Sequence, residues 1–152
     1  GEGLLQAALL GLVTVAEQRG TGDFARDELL RWLAEAAWYP TALLPSQGVR
    51  WEGVDAQRAR ATLHDGALAV TLEFEFGADD LIARVYAPGR GRLVGGRSIQ
   101  TPWEGRWRDY AAHSGVWVPH TGEVAWLLPG GRLPYWRGKL TAVEFDSAHA
   151  AR

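Results

Sequence analysis

The chain has 152 residues and a formal net charge of -2 at pH 7, with 47% hydrophobic and 22% charged residues. This size and composition are typical of one soluble globular domain that buries its own core. Acidic and basic residues are interspersed, so the chain shows no basic footprint for DNA or RNA. It contains no cysteine, which excludes disulfides, thiolate metal ligands and a cysteine nucleophile.

The chain begins with GEGLLQAALLGLVTVAEQ, whose apolar residues recur at helical spacing. The apolar stretch is short, Glu2 precedes it and no basic region stands before it. The sequence therefore predicts a helix of the fold rather than a signal peptide. No apolar run approaches the ~20 residues of a membrane span. We expect a soluble domain without a targeting signal or a span, and the compartment is left open.

A second helix is predicted for FARDELLRWLAEAAWY, with Asp23 before it as a capping residue. Pro40 either ends this helix or begins a short further turn, PTALL. Pro45 and Gly48 close the helical part of the chain.

From residue 49 the apolar period changes to two, which is typical of β-strands. The segment RARATLHDGALAVTLEFEF predicts a hairpin that turns at Asp65-Gly66. This turn places Leu63 opposite Leu68, and both faces of the hairpin come out consistent. The next strand, LIARVYA, contributes Arg84 to a charged row that also contains Arg58 and Glu73. We expect this row to lie on a solvent-exposed outer face of the sheet.

The segment PGRGRLVGGRS, residues 88–98, is dense in glycine and proline and predicts a loop or a very irregular strand. Its glycines do not follow a strand and open a helix, so they fail the context test for a phosphate-binding loop. Three further strands are expected within residues 103–111, 116–128 and 133–145.

These elements predict one α+β domain over residues 1–146, with a loose tail at 147–152. Its helical part covers residues 1–46 and its β-meander covers residues 49–146. Two to three N-terminal helices would pack on the concave face of a curved antiparallel sheet of about six or seven strands.

Four stretches together resemble a known family: ELLRWLAEAAWYPTALLP, VRWEGVDAQRARATL, TPWEGRWRDY and VPHTGEVAWLLPGGRLPYWRG. The chain resembles, from Gly1 to about Phe145, an uncharacterised bacterial family named DUF6544 or DUF6920. The resemblance implies no activity, because none is established for the family. It implies a further N-terminal segment with β-strands before Gly1, and without that segment an uncovered sheet edge would invite another chain. The layout also resembles the half-barrel of the lipoprotein-carrier (LolA/LppX-like) class.

The strongest functional signal is the set of eight tryptophans. Trp103, Gly105 and Trp107 share one strand face, and Gly105 opens space between the two rings. If PGGR is a four-residue hairpin loop, Trp126 faces Tyr135.

The same hairpin loop places Arg137 on the face of Trp126 and Tyr135, and it places Trp136 on the other face. A β-bulge near Pro134 would upset this assignment. Large rings with a gap and one guanidinium are typical of an apolar pocket with few polar groups.

The leading hypothesis is a non-catalytic binding domain for an apolar or amphipathic, lipid-like small molecule in a tryptophan-lined pocket. Arg137 would meet an anionic head group. The expected ligand-binding residues are Trp38, Tyr39, Trp103, Trp107, Trp126, Tyr135 and Arg137. The alternative reading of the same rings is that they only fill the seam between helices and sheet.

Two other classes of function stay open. In the first, the chain is an enzyme in which Glu35, set among apolar residues, acts as general acid or base in the same cavity. The spacing of Glu28, Arg31 and Glu35 favours instead a solvent-exposed position for Glu35 on the helix. In the second, the chain is an assembly module in which an exposed sheet edge pairs with a second copy or a missing segment.

No metal site or cofactor is predicted. His113 and His120 would approach across a hairpin, but no helical histidine pair or matched carboxylate completes a known site. No G-x-S-x-G elbow supports a nucleophilic serine. Glu123 and Glu144 are expected to serve as structural ion-pair partners for Arg137.

Overall fold

The computed structural model describes residues 22–145. The predicted N-terminal helix and the tail at 147–152 lie outside the described residues. The described part contains one α-helix, α1 (Gly22–Glu35), where two to three were expected. Three short 3₁₀ turns follow it at Ala36–Trp38, Pro40–Leu43 and Pro45–Gln47. No helix in this part of the chain is long and apolar enough to cross a membrane.

Within residues 22–145, the predicted antiparallel meander is confirmed as one open sheet of seven strands. Each strand pairs with its neighbour in sequence, so the first and last strands form the two edges. The strands are β1 (Arg50–Gly53), β2 (Arg58–Asp65), β3 (Leu68–Phe76), β4 (Ile82–Val94), β5 (Arg97–His113), β6 (Val116–Leu128) and β7 (Gly131–Lys139).

The helical layer covers one face of the sheet, which we call the inner face. Helix α1 contributes Leu30, Leu33 and Ala34, all fully buried, and it packs mainly on β3 and β4. The opposing strands supply fully or nearly fully buried side chains at alternate positions, as a half-covered sheet requires; they include Ala61, Leu72, Phe74, Val85 and Trp103. We call the opposite side of the sheet the outer face.

The β2–β3 hairpin forms in a register two residues away from the predicted one. Leu63 lies opposite Val70 rather than Leu68, and Asp65 pairs with Leu68. The turn residues are therefore Gly66 and Ala67, with Gly66 in the left-handed region at a φ of 57°, as a primed hairpin turn requires. Because the shift is an even number of residues, every side chain stays on its predicted face.

The glycine-rich segment at 88–98, predicted as a loop or a very irregular strand, is a hairpin with an irregular first strand, so only the loop alternative was wrong. Strand β4 continues to Val94, and β5 begins at Arg97. Gly95 and Gly96 form the turn with φ angles of 55° and 77°, which matches a type I′ turn. A register shift between Ala87 and Arg90 absorbs the proline at position 88.

Candidate functional site

The predicted aromatic set divides into two separate clusters on the inner face. In the first, the ring of Trp38 meets the ring of Trp107 edge-on with centroids 4.6 Å apart, and Trp136 lies 6.0 Å from Trp38. The indole N–H of Trp38 donates to the carbonyl oxygen of Pro119 at 3.0 Å. This cluster closes the seam between the end of the helical layer and the sheet.

The second cluster contains Trp103, Trp126 and Tyr135, and an unpredicted residue, Arg90, joins it. Trp126 and Tyr135 stack with centroids 5.2 Å apart. The indole N–H of Trp103 donates to the hydroxyl oxygen of Tyr135 at 2.7 Å, and Arg90 donates to the same oxygen at 3.0 Å. The guanidinium of Arg90 also lies 5.1 Å from the ring centroid of Trp103, a cation–π contact.

Arg137 does not join this cluster, and its predicted face was wrong. The register between β6 and β7 shifts between Val124 and Ala125, so Val124 pairs with Trp136 and Glu123 pairs with Arg137. The bulge places Tyr135 and its neighbour Trp136 on the inner face together. Arg137 turns to the outer face, where it donates to Glu123, which confirms their expected ion pair.

Tyr39 and Glu35 lie at the end of α1 and point to different partners. The hydroxyl of Tyr39 donates to the carbonyl oxygen of Trp32 at 3.1 Å, and burial raises the pKa of this phenol. The carboxylate of Glu35 lies 3.7 Å from Arg31, and 36% of its side chain is exposed. Burial also raises the pKa of Glu35, while Arg31 acts in the opposite direction.

A cleft of about 550 Å³ opens beside Trp107, at the end of the sheet where β3 turns into β4. Trp107 is the only member of the predicted ligand-binding set that lines it. A second cleft, of about 270 Å³, has the polar lining Asp55, Gln57, Arg58 and Glu75. The residues that line the larger cleft are Asp79, Leu81, Ile82, Ala83, Trp107, Arg108, Asp109, Tyr110 and Trp117.

Asp109 reverses the alternation of β5 at this cleft. Trp107 and Tyr110 are three residues apart, yet both pack against the core, which regular strand alternation forbids. Asp109 between them has a φ of 59°, a left-handed conformation that is uncommon for a non-glycine residue and that clusters at functional sites. Its carboxylate accepts a hydrogen bond from the hydroxyl of Thr121 at 2.5 Å.

The indole N–H of Trp107 is a buried donor that finds no acceptor among the described residues. Only 3% of Trp107 is exposed. Its Cε3 and Cζ3 atoms lie over Gly122 on β6, where an added Cβ would collide with them. Nε1 belongs to the opposite edge of the indole from these two atoms, and Trp107 itself is among the residues that line the cleft.

The outer face carries an ion-pair network in which the carboxylates are buried beneath the arginines. Glu104 is 1% exposed and Glu123 is 6% exposed. Arg132 bridges the two carboxylates. Arg84 and Arg106 lie 2.6 Å and 2.8 Å from the carboxylate of Glu104.

The predicted charged row of Arg58, Glu73 and Arg84 forms in part. Arg58 lies 3.4 Å from Glu73. Arg84 pairs with Glu75 and Glu104 instead of Glu73.

The two histidines that were expected to approach across a hairpin do so. The Nε2 atoms of His113 and His120 are 2.8 Å apart. No group of three or more histidine, aspartate and glutamate side chains in residues 22–145 is arranged to hold a metal ion.

Fold and site together define, for the described residues, a sheet-dominated fold in which one helix and three short turns cover an open antiparallel sheet and an aromatic cleft opens at one end. The chain belongs to the family of unknown function DUF6920, whose model matches residues 1–145. The DUF6920 part of the resemblance is thereby confirmed, and the likeness to the lipoprotein-carrier class and the name DUF6544 stay predictions. No curated protein and no solved structure matches the chain.

Three residues of these sites escaped sequence reasoning. Arg90 lies in the segment that was predicted as a loop or a very irregular strand, so its strand face was undefined. Trp117, of which 54% is exposed, follows a turn and gave no alternation signal of its own. Asp109 looks like an ordinary polar strand residue, and only its backbone conformation distinguishes it.

Proposed function

We propose that this chain is a non-catalytic binding domain for a small apolar or amphipathic molecule, which it takes up in the Trp107 cleft. The unpartnered indole N–H of Trp107 is the observation that carries the proposal. A buried donor without an acceptor costs about 1–3 kcal/mol. An acceptor oxygen on a bound molecule would remove this penalty.

The lining of the cleft fits such a molecule. Leu81, Ile82, Ala83 and the rings of Trp107 and Trp117 form apolar walls. A volume of about 550 Å³ falls within the range of small-molecule sites, which are mostly apolar with a few placed polar groups. This composition favours a ligand with a hydrophobic body, as the tryptophan content predicts.

Two other polar groups of the cleft, on Tyr110 and Asp79, already have partners. The hydroxyl of Tyr110 donates to the carbonyl oxygen of Ile82 at 2.8 Å. Asp79 accepts a hydrogen bond from the backbone N–H of Leu81 at 3.3 Å. The guanidinium of Arg108 also lines the cleft, so this group and the N–H of Trp107 both favour a ligand with an acceptor oxygen, such as a carbonyl, an ether or a carboxylate.

The rival site is the cluster of Trp103, Trp126 and Tyr135, which the sequence favoured. There the indole N–H of Trp103 and one nitrogen of Arg90 share the hydroxyl oxygen of Tyr135, and the guanidinium of Arg90 already occupies the face of Trp103, although the Nε of Arg90 is also buried without an acceptor. A ligand would have to displace these contacts. In the Trp107 cleft a ligand breaks no hydrogen bond, although the lining must shift to expose the buried N–H, so we favour this cleft.

The enzyme hypothesis rests on Glu35, which lines neither of the two clefts. Its carboxylate pairs with Arg31 on the same helix. Acid or base catalysis by Glu35 stays a prediction, and the geometry favours simple binding.

The assembly hypothesis rests on the sheet edges. β7 has Pro134, a bulge and the charged residues Arg132, Arg137 and Lys139, all features that discourage edge-to-edge pairing. β1 at the other edge has only four residues. Edge pairing therefore has less support than the cleft.

Binding of 8-anilinonaphthalene-1-sulfonate, an amphipathic probe with acceptor oxygens, tests the proposal by its fluorescence. Trp117→Ala removes an exposed wall of the cleft without opening the core, and we expect it to weaken probe binding at least tenfold. Trp107→Phe removes the N–H and keeps a ring, and we expect a loss of about 5- to 30-fold, equivalent to one buried hydrogen bond.

Leu93→Ala, which removes another exposed apolar side chain (71% exposed), is the matched control and should bind like the wild type. Tyr135→Ala distinguishes the rival site. If Tyr135→Ala abolishes probe binding and Trp117→Ala does not, the aromatic cluster is the site and the cleft is not.

A further inference from the structure

The β5–β6 hairpin brings two histidines together near its turn. Ser114 and Gly115 form its turn with φ angles of 51° and 82°, a pattern typical of a tight two-residue turn. His113 pairs with Val116 in the ladder beside this turn. His120 lies further along β6, beyond the fully buried Val118. Both rings reach along the strands toward each other.

The two imidazole rings meet tip to tip. Their Nε2 atoms are 2.8 Å apart, while the ring centroids are 5.0 Å apart and the planes are inclined by 18°. The centroid separation exceeds the Nε2 separation by about the width of one ring, so the rings lie nearly in one plane rather than face to face. At this distance one Nε2 carries a proton and the other offers its lone pair to it.

We propose that His113 and His120 form a two-histidine site for a divalent first-row transition metal, with both Nε2 atoms as ligands and water in the other positions. Imidazole nitrogen binds such metals at about 2.0–2.1 Å. Two nitrogens 2.8 Å apart already stand near the separation that neighbouring ligands of one metal require. The lone pairs now point along the line between the two nitrogens, so each ring must swing by about 45° before both lone pairs meet at one metal.

The metal would replace the proton that the two rings now share. Each ligand is half-buried and is held on a strand of a paired hairpin, which limits the conformational freedom lost on binding. Among the described residues no third histidine or carboxylate joins the pair. The site therefore resembles an open chelate, and we expect it to bind Cu²⁺ more tightly than Zn²⁺.

Titration of the full chain with Zn²⁺, followed by calorimetry and by the ring nitrogen resonances of the histidines, tests the proposal. We expect one ion per chain, with the Nε2 signals of both residues shifted. His113→Ala and His120→Ala should each weaken binding at least tenfold. Because either substitution destroys the chelate, the double variant should bind no more weakly than either single variant.

Two controls keep the result specific. His64→Ala, at an exposed position near the β2–β3 turn, should leave Zn²⁺ affinity unchanged. Lowering the pH from 7 to 5.5 should weaken binding, because protons compete for the same nitrogens. Undiminished binding in the double variant would overturn the proposal, as would a loss in His64→Ala equal to that in His113→Ala. Thermal unfolding of each variant identifies any that fail to fold, and His113→Gln then replaces His113→Ala.

Discussion

The hydroxyl oxygen of Tyr135 accepts the indole N–H of Trp103 at 2.7 Å. The two residues belong to β7 and β5, and β6 lies between them. Trp103 is 1% exposed, so this contact satisfies a donor that water cannot reach. The half-exposed Tyr135 thus completes the core at the edge of the sheet.

Tyr135→Phe tests this relationship. The substitution keeps the ring stack on Trp126 and removes the acceptor for both Trp103 and Arg90. We expect the free energy of unfolding to fall by about 1–3 kcal/mol, because the indole N–H is left buried without a partner. Urea denaturation measures the change. Tyr86→Phe, at a half-buried tyrosine that carries Arg84 on its ring, is the control and should lose less than half as much.

The outer-face network predicts very different effects for two arginines of the same strand. Arg132 joins the buried carboxylates of Glu104 and Glu123 and is 22% exposed, while Arg137 contacts only Glu123 and is 74% exposed. Removing one partner from a buried ionic network leaves an uncompensated charge, so Arg132→Ala should destabilise the fold by about 3 kcal/mol. Arg137→Ala should change stability by less than about 1 kcal/mol. Similar losses in the two variants, measured by urea denaturation, would show that the network does not depend on Arg132.

The same carboxylates set the response to acid. Burial alone would raise the pKa of Glu104, but hydrogen bonds from Arg132 and Arg84 outweigh burial and leave the pKa below its ordinary value. The pKa of Glu123 is lowered for the same reason, by Arg132 and Arg137. A lowered folded-state pKa stabilises the fold above the unfolded-state pKa, and this stabilisation is lost as the pH falls through the folded-state value.

We therefore expect the melting temperature to change little through this network between pH 7 and about 5, and to fall as the pH drops below about 4.5. Calorimetry across this range measures it. Glu104→Gln removes one of the responsible groups, so its melting temperature should be lower at pH 7 and should decline less steeply in acid. An equally steep decline in Glu104→Gln would assign the acid sensitivity to other groups.

The sequence predicted the layers of the fold well, because a register error of two residues leaves every side chain of a strand on the same face. The β2–β3 register was displaced by two residues, but Ala61 and Leu63 still face the core. In contrast, the bulge on β7 moves the pairing by one residue, and one residue is enough to send Arg137 to the other face. Periodicity contains no information about where a bulge falls, so the predicted partner of the aromatic cluster was the wrong arginine.

The site was harder to predict than the fold because it depends on backbone exceptions. The sequence predicted Trp107 as a ligand-binding residue from its aromatic ring alone. The structure adds that its buried indole N–H has no acceptor among the described residues. Tyr110 shares the inner face with Trp107 only because Asp109 is left-handed. Neither fact follows from residue type or spacing, and both need the packing of three neighbouring strands.

The β5–β6 hairpin carries residues of both proposed sites. Beyond Asp109, Tyr110 and Trp117 line the cleft, and His113 and His120 meet on the same two strands. The two proposed sites would then stand close together on one pair of strands. A metal that fixes the histidines would bias the position of the tryptophan wall, and a molecule in the cleft would by reciprocity change the affinity for the metal.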